Sequence, residues 1–255
     1  MPILSESQQH YWQQHGRLLL SDVLPPEITR DLPLWINDMT VQAEGDEQRL
    51  HYYEHTSHGK VLCRIERFLD DHSALRGVIL EGSIPVIVSE LMGEEARLYK
   101  EKINYKSPGG AGYAPHQDAA AYPFVHRHIT CLIAIDEMAL ENGCLEFAPS
   151  HGEKLLPLDD TGCMAAEVVD ALPWQPLPVP AGGVFFFSSH APHRSGTNRS
   201  STPRRALYLT YHAASEGALR AYYYAERDRQ LAAHDRTGTT ARISTIGHFL
   251  GQRAQ

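Results

Sequence analysis

From Ala96 onward the chain is written in short apolar runs cut apart by turn residues, and that punctuation narrows the folds open to it. Leu98 to Lys106 alternates apolar or aromatic residues with charged ones, the period of a half-buried strand. Ser107-Pro108-Gly109-Gly110-Ala111-Gly112 has to be a loop. Further runs follow at Ile129 to Asp136, Cys144 to Phe147 and Val184 to Phe187, set off by Glu141-Asn142-Gly143 and Gly182-Gly183. Arg205 to His212 closes the series. Such a succession points to a sandwich or barrel, not to βαβ units.

The first third reads differently. Ser5 is placed to cap a helix through Gln8, Tyr11 and Trp12 that ends near Gly16. Leu18-Leu19-Leu20 suits a short strand. Pro25-Pro26-Glu27 resembles the first turn of a second helix carrying Ile28, Leu32, Leu34, Trp35 and Ile36. Gln42 to Gln48 is polar and reads as a loop. Val61 to Phe68 suits a strand, and Asp71 to Gly82 and Ile84 to Leu91 suit helices, with Gly93 as a stop. Tyr222-Tyr223-Tyr224 reads as packing on a C-terminal helix. The expected organisation is a single domain, mainly β with flanking helices: a helical part over about 1–95, a β core over about 96–215 and a C-terminal helical tail.

The formal net charge of −8 argues against nucleic acid or an anionic membrane surface as the main partner, since both select basic surfaces. No apolar run is long enough to span a bilayer, and the polar stretch from Met1 to His15 is not a signal peptide. The four cysteines form no C-x-x-C pair and read as buried reduced thiols. A cytoplasmic protein acting on a small molecule is expected. The oligomeric state is not readable.

Within this frame, Ala114-Pro115-His116-Gln117-Asp118 carries the chemistry. On a strand, positions i and i+2 share a face, so His116 and Asp118 reach one ion. A second histidine-rich stretch, Ser188-Ser189-His190-Ala191-Pro192-His193-Arg194-Ser195-Gly196, offers the third ligand from His190 or His193. Two imidazoles and one carboxylate form the facial triad that binds non-haem Fe(II) and leaves positions open. Zinc accepts the same donors. A 2-oxo-acid cosubstrate also needs a cation for its far carboxylate, and the fork of an arginine suits it. Arg204 and Arg205 both enter the last strand, where only one of two neighbours faces inward.

Several stretches together resemble the phytanoyl-CoA dioxygenase-like family. They are Lys100-Glu101-Lys102-Ile103-Asn104-Tyr105-Lys106, Pro108-Gly109-Gly110, Ala114 to Asp118, Asn142-Gly143-Cys144-Leu145-Glu146, Pro192 to Gly196 and Arg204-Arg205-Ala206-Leu207-Tyr208. The resemblance covers about residues 60–225, and its wording is similar to bacterial small-molecule hydroxylases such as the 2-aminoethylphosphonate dioxygenase group. It implies a double-stranded β-helix, a jelly-roll or cupin-like barrel. It also implies Fe(II), 2-oxoglutarate and O2, and hydroxylation of a small polar metabolite with release of succinate and CO2. In that family the distal histidine precedes Ser-Gly, and the cosubstrate arginine follows eleven positions later. Counting from His193 lands on Arg204, and from His190 on Ser201. The resemblance therefore assigns iron to His116, Asp118 and His193, and 2-oxoglutarate to Arg204, Ser195, Asn104 and Lys100.

Lys102, Tyr122 and Arg127 are the candidates for substrate contact, Arg127 lying in the cluster His126-Arg127-His128. Arg64 and Glu66 read as a structural ion pair. Asp118 occupies the position that halide would need, which favours hydroxylation over halogenation. Two alternatives stand beside this reading: desaturation or cyclisation with the same cofactors, and a barrel that binds a metal or small ligand without turnover or hydrolyses with zinc.

Overall fold

The computed structural model describes residues 3–43, 48–237 and 245–254, so that 44–47 of the expected polar loop lie outside the described residues. The first elements are α1 (Glu6–His15), β1 (Arg17–Leu20), α2 (Pro26–Val41), β2 (Leu50–Thr56), β3 (Gly59–Glu66), α3 (Ser73–Leu80) and α4 (Ser83–Met92). Then come β4 (Ala96–Lys106), β5 (Tyr113–His116), α5 (Asp118–Ala121), β6 (His128–Ala134), β7 (Leu145–Phe147), α6 (Ala166–Ala171) and β8 (Gln175–Leu177). The chain ends with β9 (Val184–Ser188), β10 (His193–Ser195), β11 (Arg204–Ala213), α7 (Leu219–Thr237) and β12 (Gln252–Ala254). The local signals work as chemistry requires. Ser5 accepts from the Gln8 amide while the Gln8 side chain returns to the Ser5 amide, and Gly93 closes α4 in the left-handed conformation.

Two antiparallel sheets result. The larger has the order β1-β9-β6-β11-β4-β3-β2-β12, and the smaller β5-β10-β7-β8. The two-residue period sorts the larger sheet's side chains. Ile129, Cys131, Ile133, Val184, Phe186, Leu207, Leu209 and Tyr211 face α2, α3 and α4 and join Ile36, Met39, Leu75, Ile79 and Val88 in the main core. Leu132, Ala134, Phe185, Phe187, Ala206 and Tyr208 point the other way, toward Leu145 and Phe147 of the small sheet. The Phe147 ring lies 5.1 Å from that of Phe185 and 5.4 Å from that of Phe187. Burying one such ring contributes roughly 1.5–3 kcal/mol. The sheets face each other as a jelly roll with helices on the outer face, and they do not close into one hydrogen-bonded ring.

Three expectations are corrected. The first third, read as mainly helical with strands at Leu18–Leu20 and Val61–Phe68, also supplies the unexpected β2, so that β1 lies at one edge of the large sheet and β2 and β3 toward the other. The tail is not only helical: after α7 the chain returns, and β12 pairs with β2. Asp118 does not lie on a strand but is the first residue of α5. Among the described residues no helix is long and apolar enough to cross a membrane.

On β3, β4 and β11 the inward face changes character away from the phenylalanines. Arg64, Glu66, Lys100, Asn104, Lys106, Arg204 and Thr210 are all buried there. Buried polar groups on this scale are costly unless something binds them.

Candidate active site

β5 and β10 are antiparallel neighbours, and their register sets His116 directly opposite His193. The ring centroids are 4.1 Å apart. Each ring is oriented in the same way: His116 Nδ1 donates to the Ala114 carbonyl at 2.7 Å, and His193 Nδ1 to the Ala191 carbonyl at 3.0 Å. A carbonyl only accepts, so Nδ1 carries the proton and each Nε2 lone pair is left for a metal. Gln117 is extended (φ −118°, ψ 128°), which returns Asp118 to the side of His116 although the strand has ended. Gln117 itself points away and is fully buried, its amide donating to the Lys154 and His190 carbonyls and accepting from the Leu156 amide. Asp118 accepts a hydrogen bond from Thr130 at 3.3 Å. One ligand atom from each of His116, Asp118 and His193 falls within 4.8 Å of the others, the single such group among the described residues.

The electrostatics keep these donors in the metal-binding form. Burial, and then the neighbouring His193, push His116 down to about 3. His193 is lowered as well, again by burial. Burial would raise Asp118, but His193, Lys102 and His116 outweigh it and hold the carboxylate ionised far below the usual range. Two neutral imidazoles and one carboxylate therefore converge at neutral pH.

Lys102, Asn104, Tyr113, Leu145, Phe187, Tyr208 and His248 join the three ligands around a small cavity of about 30 Å³. Arg204 faces inward and is buried. One guanidinium nitrogen donates to the Gly143 carbonyl at 2.7 Å, while its Nε is buried without a partner. Arg205 takes the outer face, bound to Asp136 through both carboxylate oxygens and to Asn37 of α2. Ser195 accepts from Lys106 at 3.0 Å; Lys106 also reaches the Gly196 carbonyl and the Gly143 carbonyl to which Arg204 donates. Asn104 accepts from Arg64 at 3.0 Å, and Arg64 pairs with Glu66 at 3.2 Å. Lys100 is hydrogen-bonded to the Tyr122 hydroxyl, and burial lowers it to about 8. Lys102 stands over the Tyr208 ring at 5.2 Å.

Arg127, expected at the substrate, is not at the cavity. Its guanidinium is paired with Glu94 on the surface, and its amide is held by Glu216. Of its neighbours, His126 is exposed while His128 is buried. His190 stays outside the triad, its carbonyl held by Gln117. Three lining or supporting residues escaped sequence reasoning. Lys106 was visible in the strand pattern but unassigned, Tyr113 sat in a loop-like context, and His248 lies in a tail without periodicity.

A model of the phytanoyl-CoA dioxygenase (PhyH) family matches residues 12–206. The chain belongs to this family. Among curated relatives, the methylphosphonate hydroxylase of Gimesia maris is 47% identical over 254 residues, 99% of this chain and 98% of that protein. The 2-aminoethylphosphonate dioxygenase of an uncultured bacterium is 36% identical over 234 residues, 89% of this chain and 88% of that protein. Among solved structures, EctD from S. alaskensis with 2-oxoglutarate and 5-hydroxyectoine superposes with a TM-score of 0.71 at 16% identity. That alignment covers 84% of this chain and 78% of EctD, and it supports the jelly-roll fold.

As a member of the phytanoyl-CoA dioxygenase family, the chain is an Fe(II)- and 2-oxoglutarate-dependent dioxygenase that hydroxylates a small metabolite. This excludes the alternative of a barrel without turnover. The side chains fit both groups. Mixed imidazole and carboxylate donors on one side of an ion suit Fe(II) and leave room for exchangeable ligands. The orphaned Nε of Arg204 is a buried cationic donor of the kind a carboxylate satisfies.

Proposed function

We propose that this dioxygenase hydroxylates a short alkylphosphonate of the methylphosphonate kind, with iron held by His116, Asp118 and His193. The observation that carries the reading is the charge of the cavity wall. Lys102 lines the cavity with no hydrogen bond or ion pair among the described residues, and burial disfavours its charge; Lys100 and Arg64 stand behind it, so that three basic groups face two carboxylates, Glu66 and the metal ligand Asp118. A phosphonate brings the negative charge and acceptor oxygens that this excess of cations lacks. The names of the two curated relatives, both phosphonate oxygenases, point the same way.

In this reading Arg204 and Ser195 hold the far carboxylate of 2-oxoglutarate, with Asn104 nearer the metal. When bound, iron and 2-oxoglutarate together activate O2, giving succinate, CO2 and a hydroxylated carbon. The chain's own part is placement. Burial keeps both imidazoles neutral and Nδ1 anchoring aims them, Lys102 draws the phosphonate toward them, and Phe187 and Leu145 keep water from the reacting C–H bond.

The test is turnover of methylphosphonate and 2-aminoethylphosphonate with Fe(II), 2-oxoglutarate and O2, followed by phosphorus NMR and succinate assay. A hydroxylated phosphonate formed one-for-one with succinate is expected, and none with Asp118→Ala. Succinate release that no phosphonate stimulates would overturn the substrate assignment while leaving the cofactor chemistry intact.

A further inference from the structure

The segment after α7 returns over the site and is tied down along its length. Thr245 Oγ1 donates to the Ala121 carbonyl at 2.9 Å, and the Gly247 amide to Thr161 at 2.9 Å. The Ala114 amide donates to the His248 carbonyl at 2.7 Å, and the Leu250 amide to Gly112 at 3.1 Å. β12 then completes the edge of the large sheet. These bonds fasten residues 245–254 to both sides of β5, the strand that carries His116.

They also place one side chain. The His248 imidazole lies flat on the His116 ring, centroids 4.1 Å apart and planes within 2°, and it lines the same cavity. It is 4% exposed. Its Nδ1 is buried with no partner, and the ring makes no hydrogen bond among the described residues. His116 and His193 have their Nδ1 atoms bonded to backbone carbonyls, whereas His248, on the same cavity, has its Nδ1 unmet. Lys102, Arg64 and Asp118 are all close enough to act on its charge, and the ring shares the cavity with Lys102 and Asp118.

We propose that His248 is a substrate-positioning residue: its imidazole N–H donates to a phosphonate oxygen whose charge Lys102 balances, turning the alkyl group toward the metal. The assignment rests on the phosphonate reading. It gives the segment 245–254 a role in recognition, and it makes substrate affinity depend on a part of the chain beyond the family-matched residues 12–206.

The test separates a hydrogen bond from a stack. His248→Phe keeps an aromatic ring on His116 and removes the donor, whereas His248→Gln loses the ring and keeps an amide donor. Binding of methylphosphonate is measured by calorimetry on full-length protein loaded with Co(II) and 2-oxoglutarate without O2, and turnover is measured on the iron enzyme. Loss of a hydrogen bond to a charged group predicts roughly tenfold or more weaker phosphonate binding in His248→Phe. Co(II) and 2-oxoglutarate affinities should be unchanged, and succinate should exceed hydroxylated phosphonate. His248→Gln should recover part of the binding. Wild-type binding that His248→Phe leaves intact, or a variant that weakens 2-oxoglutarate instead, overturns the assignment. No methylphosphonate binding by the wild-type protein would instead sink the phosphonate reading on which it depends.

Discussion

Arg204 and Arg205 are adjacent, share a charge and do opposite things, because one residue along a strand reverses the face. Arg204 turns inward to the Gly143 carbonyl, and Arg205 ties β11 to Asp136 and α2. Arg204→Ala is expected to raise the KM for 2-oxoglutarate by roughly 10- to 100-fold, the loss of a charge-assisted pair, with the phosphonate KM moving far less. Arg205→Ala should leave both constants near wild type and lower stability by about 1 kcal/mol, since the pair is partly solvated. Steady-state kinetics beside a denaturant titration checks both, and a 2-oxoglutarate effect in Arg205→Ala alone would reverse the assignment. Strand parity could not be counted from sequence because the strand's start was unknown to one residue; only the family spacing from His193 pointed to Arg204. Arg127 was misread for a related reason: a basic residue between histidines looks like an anion site until Glu94, 33 positions earlier, is found beside it.

At the scale of elements, the site depends on one short antiparallel pairing, β5 with β10. Gly112, just before β5, lies so close to β10 that a Cβ there would sit 2.2 Å from the Ser195 carbonyl oxygen. Gly112→Ala must push the two strands apart, and His116 and His193 with them. The expected outcome is a stability loss of roughly 1–3 kcal/mol, the usual cost of overpacking, with weakened metal binding in addition. Gly77 inside α3 is the control, because a Cβ there meets nothing within 4 Å. Gly77→Ala should stabilise by up to about 1 kcal/mol and leave metal binding alone. Thermal melts with Co(II) titration compare the two; equal metal affinity in both variants would show that the pairing is not what sets the ligand spacing. The strands written as alternating or continuous apolar runs, β4, β6, β9 and β11, were legible in the sequence, as were the capped helices. β2 was not: Leu50-His51-Tyr52-Tyr53-Glu54-His55-Thr56 is a mixed run whose strand state comes from pairing with β3 and β12. β12 and His248 were missed because only long-range contacts hold that segment in place.

At the scale of the whole molecule, a polar interior built for ligands makes the unliganded protein sensitive to acid. His128 is 2% exposed, neither ring nitrogen has a partner, and burial pushes it down to about 3, as it does His116. In the unfolded chain both rings titrate near 6.5. Above that value both states hold them neutral, and their stabilising contribution is complete. Between about 6.5 and 3 the unfolded chain binds protons that the folded chain refuses, so stability falls as pH falls through that window. Each such histidine adds a slope of up to about 1.4 kcal/mol per pH unit. Metal-free protein should therefore lose stability steeply below pH 6. His128→Phe, which removes one titrating ring and fills the same space with an apolar one, should flatten the slope by close to one proton. Saturating Co(II) should raise the whole curve, by about 2.7 kcal/mol at a hundredfold excess over Kd, and make it steeper at its acid end, where protons compete for the metal-bound rings. Denaturant titrations from pH 7.5 to 4.5 on the two proteins, with and without Co(II), measure all three effects. A slope unchanged in His128→Phe would mean that this ring is already charged in the folded state, and that the neighbouring Asp118 carboxylate, not burial, governs it.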